Sequence, residues 1–126
     1  MNTLIERFLR YVKIDTQSDH ESDTFPSTEK QKDLSRLLVK ELKEMGLDAF
    51  LDKDGYVYAK IEKNVEGKKA IGFIAHVDTS PDAPGKDVNP RIIKNYDGST
   101  IKLNDTLSMH PDQYSSLSRV IGQDII

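Results

Sequence analysis

Apolar positions fall into two helical stripes and several short extended runs. Leu4, Ile5, Phe8, Leu9 and Val12 recur at helical spacing, which predicts a helix over 3–14. Thr3 and Glu6 stand three apart at its start and fit a capping box, in which two side chains satisfy reciprocal backbone donors. Residues 15–27 are polar and turn-rich and read as a loop. Leu34, Leu37, Leu38, Leu42 and Met45 form a second stripe, with Lys and Glu on the opposite face. This predicts a helix over 27–45 lying on a sheet and ended by Gly46. Ala49–Leu51 and Tyr56–Ile61 flank the turn cluster Asp52-Lys53-Asp54-Gly55 and predict a hairpin. Ala70-Ile71-Gly72-Phe73-Ile74-Ala75 is apolar throughout, the pattern of a strand covered on both faces.

The stretch 79–98 carries Pro81, Pro84, Gly85, Pro90 and Gly98 and cannot hold a long regular element. Arg91–Lys94 and Thr100–Leu103 flank Asn95-Tyr96-Asp97-Gly98 and predict a second hairpin. Residues 104–126 are the least patterned, and their apolar end, Asp124-Ile125-Ile126, suggests a chain that continues. No repeat, low-complexity tract or dividing linker is visible. The expected fold class is α/β, with helices packed on a mixed β-sheet.

Composition narrows the classes of function. Lys plus Arg is 18 against 21 Asp plus Glu, a net charge of -3, which argues against nucleic acid as a partner. No apolar run is long enough to cross a bilayer, so no membrane partner is expected. The start shows no basic region followed by an apolar core, so no secretory signal is expected. Cysteine is absent, which removes disulfides, thiolate metal sites and a cysteine nucleophile, and fits a cytoplasmic setting.

The chemistry lies where the apolar run ends. His76 and Asp78 are two residues apart, so a strand would project both to one side, at a sheet edge where ligands bind. Imidazole is a good zinc ligand, and metal-bound histidines commonly give the other ring nitrogen to a carboxylate. Taken alone, the pair also fits a hydrogen-bonded histidine beside an aspartate that caps a loop. His20 lies in an acidic, solvated loop, and His110 precedes Pro111 in another. Asp82, Asp87 and Asp97 are turn formers first. Asp15-Thr16-Gln17-Ser18 either ends a helix or borders a substrate cleft. No phosphate loop, nucleophile elbow or H-E-x-x-H pattern is present.

The segment Ile71–Asp82 resembles the strand and loop of the di-zinc metallopeptidase superfamily that holds aminoacylases and glutamate carboxypeptidases, and within it the tripeptide aminopeptidases. The resemblance extends to Tyr11–Ser18, Pro26–Gly46, Asp82–Asp105 and Ile121–Ile126, in order along the chain. It implies that His76 ligates one of two Zn(2+) ions and that Asp78 is an active-site residue holding that histidine. It also implies that a bridging aspartate, a general-base glutamate and the other ligands lie beyond the position matching Ile126. The chain would then be residues 1–126 of a catalytic domain, without the rest of that domain or its substrate and dimerisation domain. The implied activity is zinc-dependent release of the N-terminal residue from tripeptides, with a short peptide as substrate and a homodimer as assembly. This stretch alone would be inactive. Two alternatives stand beside that reading: a binding module without catalysis, and a related di-zinc hydrolase acting on dipeptides or acylated amino acids.

Overall fold

Thr3 opens the first helix as the sequence predicts. In a computed structural model, which describes residues 3–126, its hydroxyl accepts from the Glu6 amide at 3.2 Å and the Glu6 carboxylate accepts from the Thr3 amide at 2.7 Å. Helix α1 runs Leu4–Tyr11 and α2 runs Gln31–Glu44. The second starts four residues later than the stripe suggested, because Thr28, Glu29 and Lys30 form single turns whose carbonyls accept from Gln31, Lys32 and Asp33. Gly46 takes φ +84 and ends α2, a conformation that costs glycine little.

Strands β1 (Asp48–Leu51) and β2 (Val57–Lys60) form the predicted antiparallel hairpin, with Phe50 opposite Tyr58. Those two rings stack at 5.1 Å between centroids. The Asp52 carboxylate closes the turn by accepting from the amides of Asp54 at 3.0 Å and Tyr56 at 2.8 Å. Helix α2 packs on this hairpin, Leu34 and Ala49 are both buried, and the Ser35 hydroxyl donates to the Gly55 carbonyl at 3.1 Å.

The chain forms two units, Met1–Asn89 and Pro90–Ile126, that divide inside the Pro- and Gly-rich stretch. The second unit corrects the predicted hairpin. Strand β3 (Ile101–Lys102) pairs with β4 (Ser108–Met109), not with 91–94, and Ile93 instead bridges Ile125. The turn that decides this is Asn104, whose side-chain oxygen accepts from the Thr106 amide at 2.9 Å and the Leu107 amide at 2.8 Å. Tyr96, in the stretch read as a turn, is instead 2% exposed and packs with Ile101 and Leu117, the latter on the 3-10 helix Ser115–Val120. Asn104→Ala removes the exposed turn's acceptor. It should cost about 1 kcal/mol in thermal unfolding of this unit and raise amide exchange at Leu107.

The largest departure from the expected mixed sheet is the apolar run. Residues 70–75 form no strand, and Ile71, Phe73 and Ile74 are 82%, 95% and 101% exposed. A strand exists through its ladder partners, and among the described residues β1 and β2 pair only with each other. The architecture is therefore an α/β mix of helices and two small antiparallel sheets. No described helix is long and apolar enough to cross a membrane.

Candidate metal-ligand pair and its support

His76 and Asp78 meet although their segment is not a strand: His76 Nδ1 lies 3.2 Å from Asp78 Oδ1. The His76 side chain is 85% exposed and that of Asp78 about half exposed. With Nδ1 engaged, Nε2 remains for a ligand, the arrangement in which a carboxylate fixes the ring of a metal-bound histidine. The donor set fits one corner of a zinc site. It does not fit a full coordination sphere, because the described residues contain no group of three His, Asp or Glu side chains able to hold a metal ion.

The residues after Asp78 are held by the loop that follows α1. Thr79 donates its amide to the Thr16 carbonyl at 3.2 Å and accepts from the Ser18 amide at 2.9 Å, a single parallel bridge between Gln17 and Thr79. The Gln17 amide nitrogen donates to the Ala83 carbonyl at 2.9 Å. Asp15 accepts from Lys30 Nζ at 2.9 Å and from the Gln17 amide at 3.0 Å, and these bonds, the Lys30 bond foremost, hold its carboxyl below the usual range. A Cβ at Gly85 would come within 2.9 Å of Asp15 Oδ1 and 3.1 Å of Thr79 Oγ1, so a larger residue would make those side chains shift. The Asp15–Ser18 loop thus anchors the segment that follows His76 and Asp78.

The other candidates make contacts of their own. His20 Nε2 lies 3.3 Å from Glu21 Oε1 on an exposed loop. His110 Nδ1 lies 3.1 Å from the Thr100 hydroxyl in the second unit. Asp82 accepts from Ser80 at 2.6 Å and Asp97 from the Ser99 amide at 2.9 Å, both as turn formers. Asp87 takes φ 58, also a turn position.

One buried polar cluster escaped the sequence reading. The Glu41 carboxylate accepts hydrogen bonds from the Arg10 guanidinium and the Tyr11 hydroxyl, and lies 3.4 Å from Arg7 Nε. Burial alone would push the Glu41 carboxyl up, but the Tyr11 and Arg10 bonds and the two arginine charges outweigh it and hold it low. Burial and the bond to Glu41 raise the Tyr11 phenol. The signal was in the periodicity: Glu41 is seven residues after Leu34, on the apolar stripe, and Arg7, Arg10 and Tyr11 share one face of α1. The cluster ties α1 to α2.

The likeness to known proteins covers every residue of this geometry. No protein-family model matches the chain. The chain is 48% identical to peptidase T of Alkaliphilus oremlandii over 132 residues, covering all of the chain and 32% of that protein. It is 50% identical to peptidase T of Aliivibrio salmonicida over 129 residues, again all of the chain and 32% of the relative. It is 47% identical to peptidase T of Staphylococcus aureus over 127 residues, 99% of the chain and 31% of the relative. The chain spans about a third of the length of these curated relatives, and over that span it is similar from end to end to peptidase T.

Proposed function

We propose that this chain supplies part of the catalytic domain of a zinc-dependent aminopeptidase that releases the N-terminal residue of tripeptides. The observation that carries the reading is the His76–Asp78 contact at 3.2 Å, in a chain 47–50% identical to peptidase T along its whole length. His76 would hold one of two zinc ions through Nε2, and Asp78 would fix its tautomer and orientation. Zinc in such a site polarises a peptide carbonyl and lowers the pKa of a water. The Thr16–Ser18 bridge to Thr79 keeps the segment after Asp78 from drifting, and so preserves the angle at which His76 is presented. A cytoplasmic setting fits the absence of cysteine.

The lack of a third ligand among the described residues favours a second reading, a binding module without catalysis. The two separate in one experiment. The chain is fused to the remaining two thirds of the Aliivibrio salmonicida protein and assayed against a tripeptide, a dipeptide and an acylated amino acid. We expect zinc-dependent release of the N-terminal residue, fastest from the tripeptide. A folded fusion that takes up no zinc and hydrolyses none of the three would establish the binding module. Preference for the dipeptide or the acylated amino acid would keep the hydrolase and move its substrate.

A further inference from the structure

Residues 79–85 follow Asp78 directly and hold no helix and only the single bridge at Thr79. One side chain of the loop after α1 spans this stretch. The Gln17 side-chain amide donates to the Ala83 carbonyl at 2.9 Å and lies 3.4 Å from the Pro81 carbonyl, so it grips the chain on both sides of Asp82. Gln17 is itself held through its backbone. Its amide donates to Asp15 Oδ1 at 3.0 Å, and its carbonyl accepts from the Thr28 hydroxyl at 2.7 Å. That hydroxyl also accepts from Gln31 Nε2 at 3.2 Å, and Gln31 is buried at the start of α2. A Cβ at Gly85 would lie 3.3 Å from Gln17 Cβ, so the stretch packs on the stem of the same side chain.

The link to Asp78 is a peptide plane. The Thr79 amide shares one planar unit with the Asp78 carbonyl, so its bond to the Thr16 carbonyl sets the direction in which the chain leaves Asp78. Thr16 is 3% exposed, which fixes one end of that bond in the interior. Thr79 is exposed, and backbone bonds at an exposed single bridge open readily. We propose that Gln17 is a positioning residue for the His76–Asp78 pair: its grip on Pro81 and Ala83 keeps the Thr16–Thr79 bond closed and so holds the Asp78 carboxylate against His76 Nδ1. The proposal rests on the role given to Asp78 above and extends it to a residue that touches neither member of the pair, but it does not rest on turnover.

The test reads the tautomer of the His76 ring in the chain itself, by nitrogen–proton correlation NMR in mildly alkaline buffer with the rings neutral. A carboxylate at Nδ1 favours the Nδ1–H tautomer, and Asp78→Ala sets the ratio of the released ring. Gln17→Ala should lower the Nδ1–H to Nε2–H ratio of His76 by about threefold or more. Gln17→Met keeps a stem beside Gly85, lacks the amide, and should do the same. His110, which meets Thr100 in the second unit, should keep its ratio, and amide exchange in α2 should be unchanged. In the fused peptidase Gln17→Met should weaken zinc binding by about 3- to 10-fold, less than the loss of Asp78 itself. An unchanged His76 ratio in both Gln17 variants, with a shift in Asp78→Ala, would overturn the proposal and leave Asp78 in its role. A ratio that Asp78→Ala does not move would overturn both. A shift accompanied in both Gln17 variants by faster exchange in α2 would make Gln17 a general structural brace and overturn the proposal, as would parent-like zinc affinity in the Gln17→Met fusion. A ring shift in the chain, with no zinc taken up by the parent fusion, would support this proposal and count only against the zinc peptidase.

Discussion

In the fused peptidase, His76→Ala should remove activity on the tripeptide by at least about a thousandfold and lower bound zinc. The expectation follows from geometry and chemistry together. His76 brings an exposed imidazole with one nitrogen engaged by Asp78 and the other available. The described residues contain no group of three His, Asp or Glu side chains able to hold a metal ion without it. Asp78→Asn should act through the ring. Carboxylates that orient a metal-bound histidine are worth about 10- to 100-fold in affinity or activity. The Asn variant should therefore lose less than the Ala variant and should lose zinc affinity along with turnover. Equal losses from both would mean that Asp78 does more than orient His76. Near-parent turnover in His76→Ala would remove that residue from the site.

Glu41→Gln should destabilise the first unit by about 2–3 kcal/mol, measured by denaturant unfolding. The side chain of Glu41 is 7% exposed and accepts from both Arg10 and Tyr11. Breaking a buried pair by removing one partner costs about 3–5 kcal/mol. The lower figure applies because the arginine side chains are 32% and 35% exposed and can turn to water. Tyr11→Phe removes one charged hydrogen bond and should cost about 1.5 kcal/mol. The pH dependence has a definite sign. The folded-state Glu41 carboxyl is held below its usual value, so its contribution is complete above about pH 4.5 and is lost as pH falls through the folded-state pKa. The gap between parent and Glu41→Gln should be flat near neutral pH and close in acid. A gap that widened in acid would contradict the assignment.

The legible parts of the fold share one property: their determinants are local. The Thr3–Glu6 capping box, the Gly46 stop and the Asp52–Gly55 turn each act over a few residues, and each forms as read. The largest departure needed partners distant in sequence. Residues 70–75 have the pattern of an interior strand, but pattern cannot create neighbours. The second hairpin went astray because Asn95–Gly98 and Asn104–Asp105 are both turn signals, and Asn104 closes the actual one. Tyr96 was hidden inside a turn cluster, although an aromatic residue there is a sign of a buried anchor. At the site, alternation placed His76 and Asp78 on one side, and they do touch; contact between neighbours two apart needs no sheet. The role of Asp15–Ser18 as an anchor for Thr79–Gly85 rests on pairing across about sixty residues, which no local pattern carries.

On the function proposed above, this chain would bring one histidine ligand and its supporting carboxylate to a zinc peptidase site assembled with further polypeptide. Calorimetric zinc titration of three proteins tests it most directly: the 126-residue chain, its fusion to the rest of a peptidase T, and that fusion with His76→Ala. We expect no stoichiometric uptake by the chain alone, stoichiometric uptake by the fusion, and a clear loss in the His76→Ala fusion. Stoichiometric zinc in the chain alone, or full zinc in the His76→Ala fusion, would contradict it.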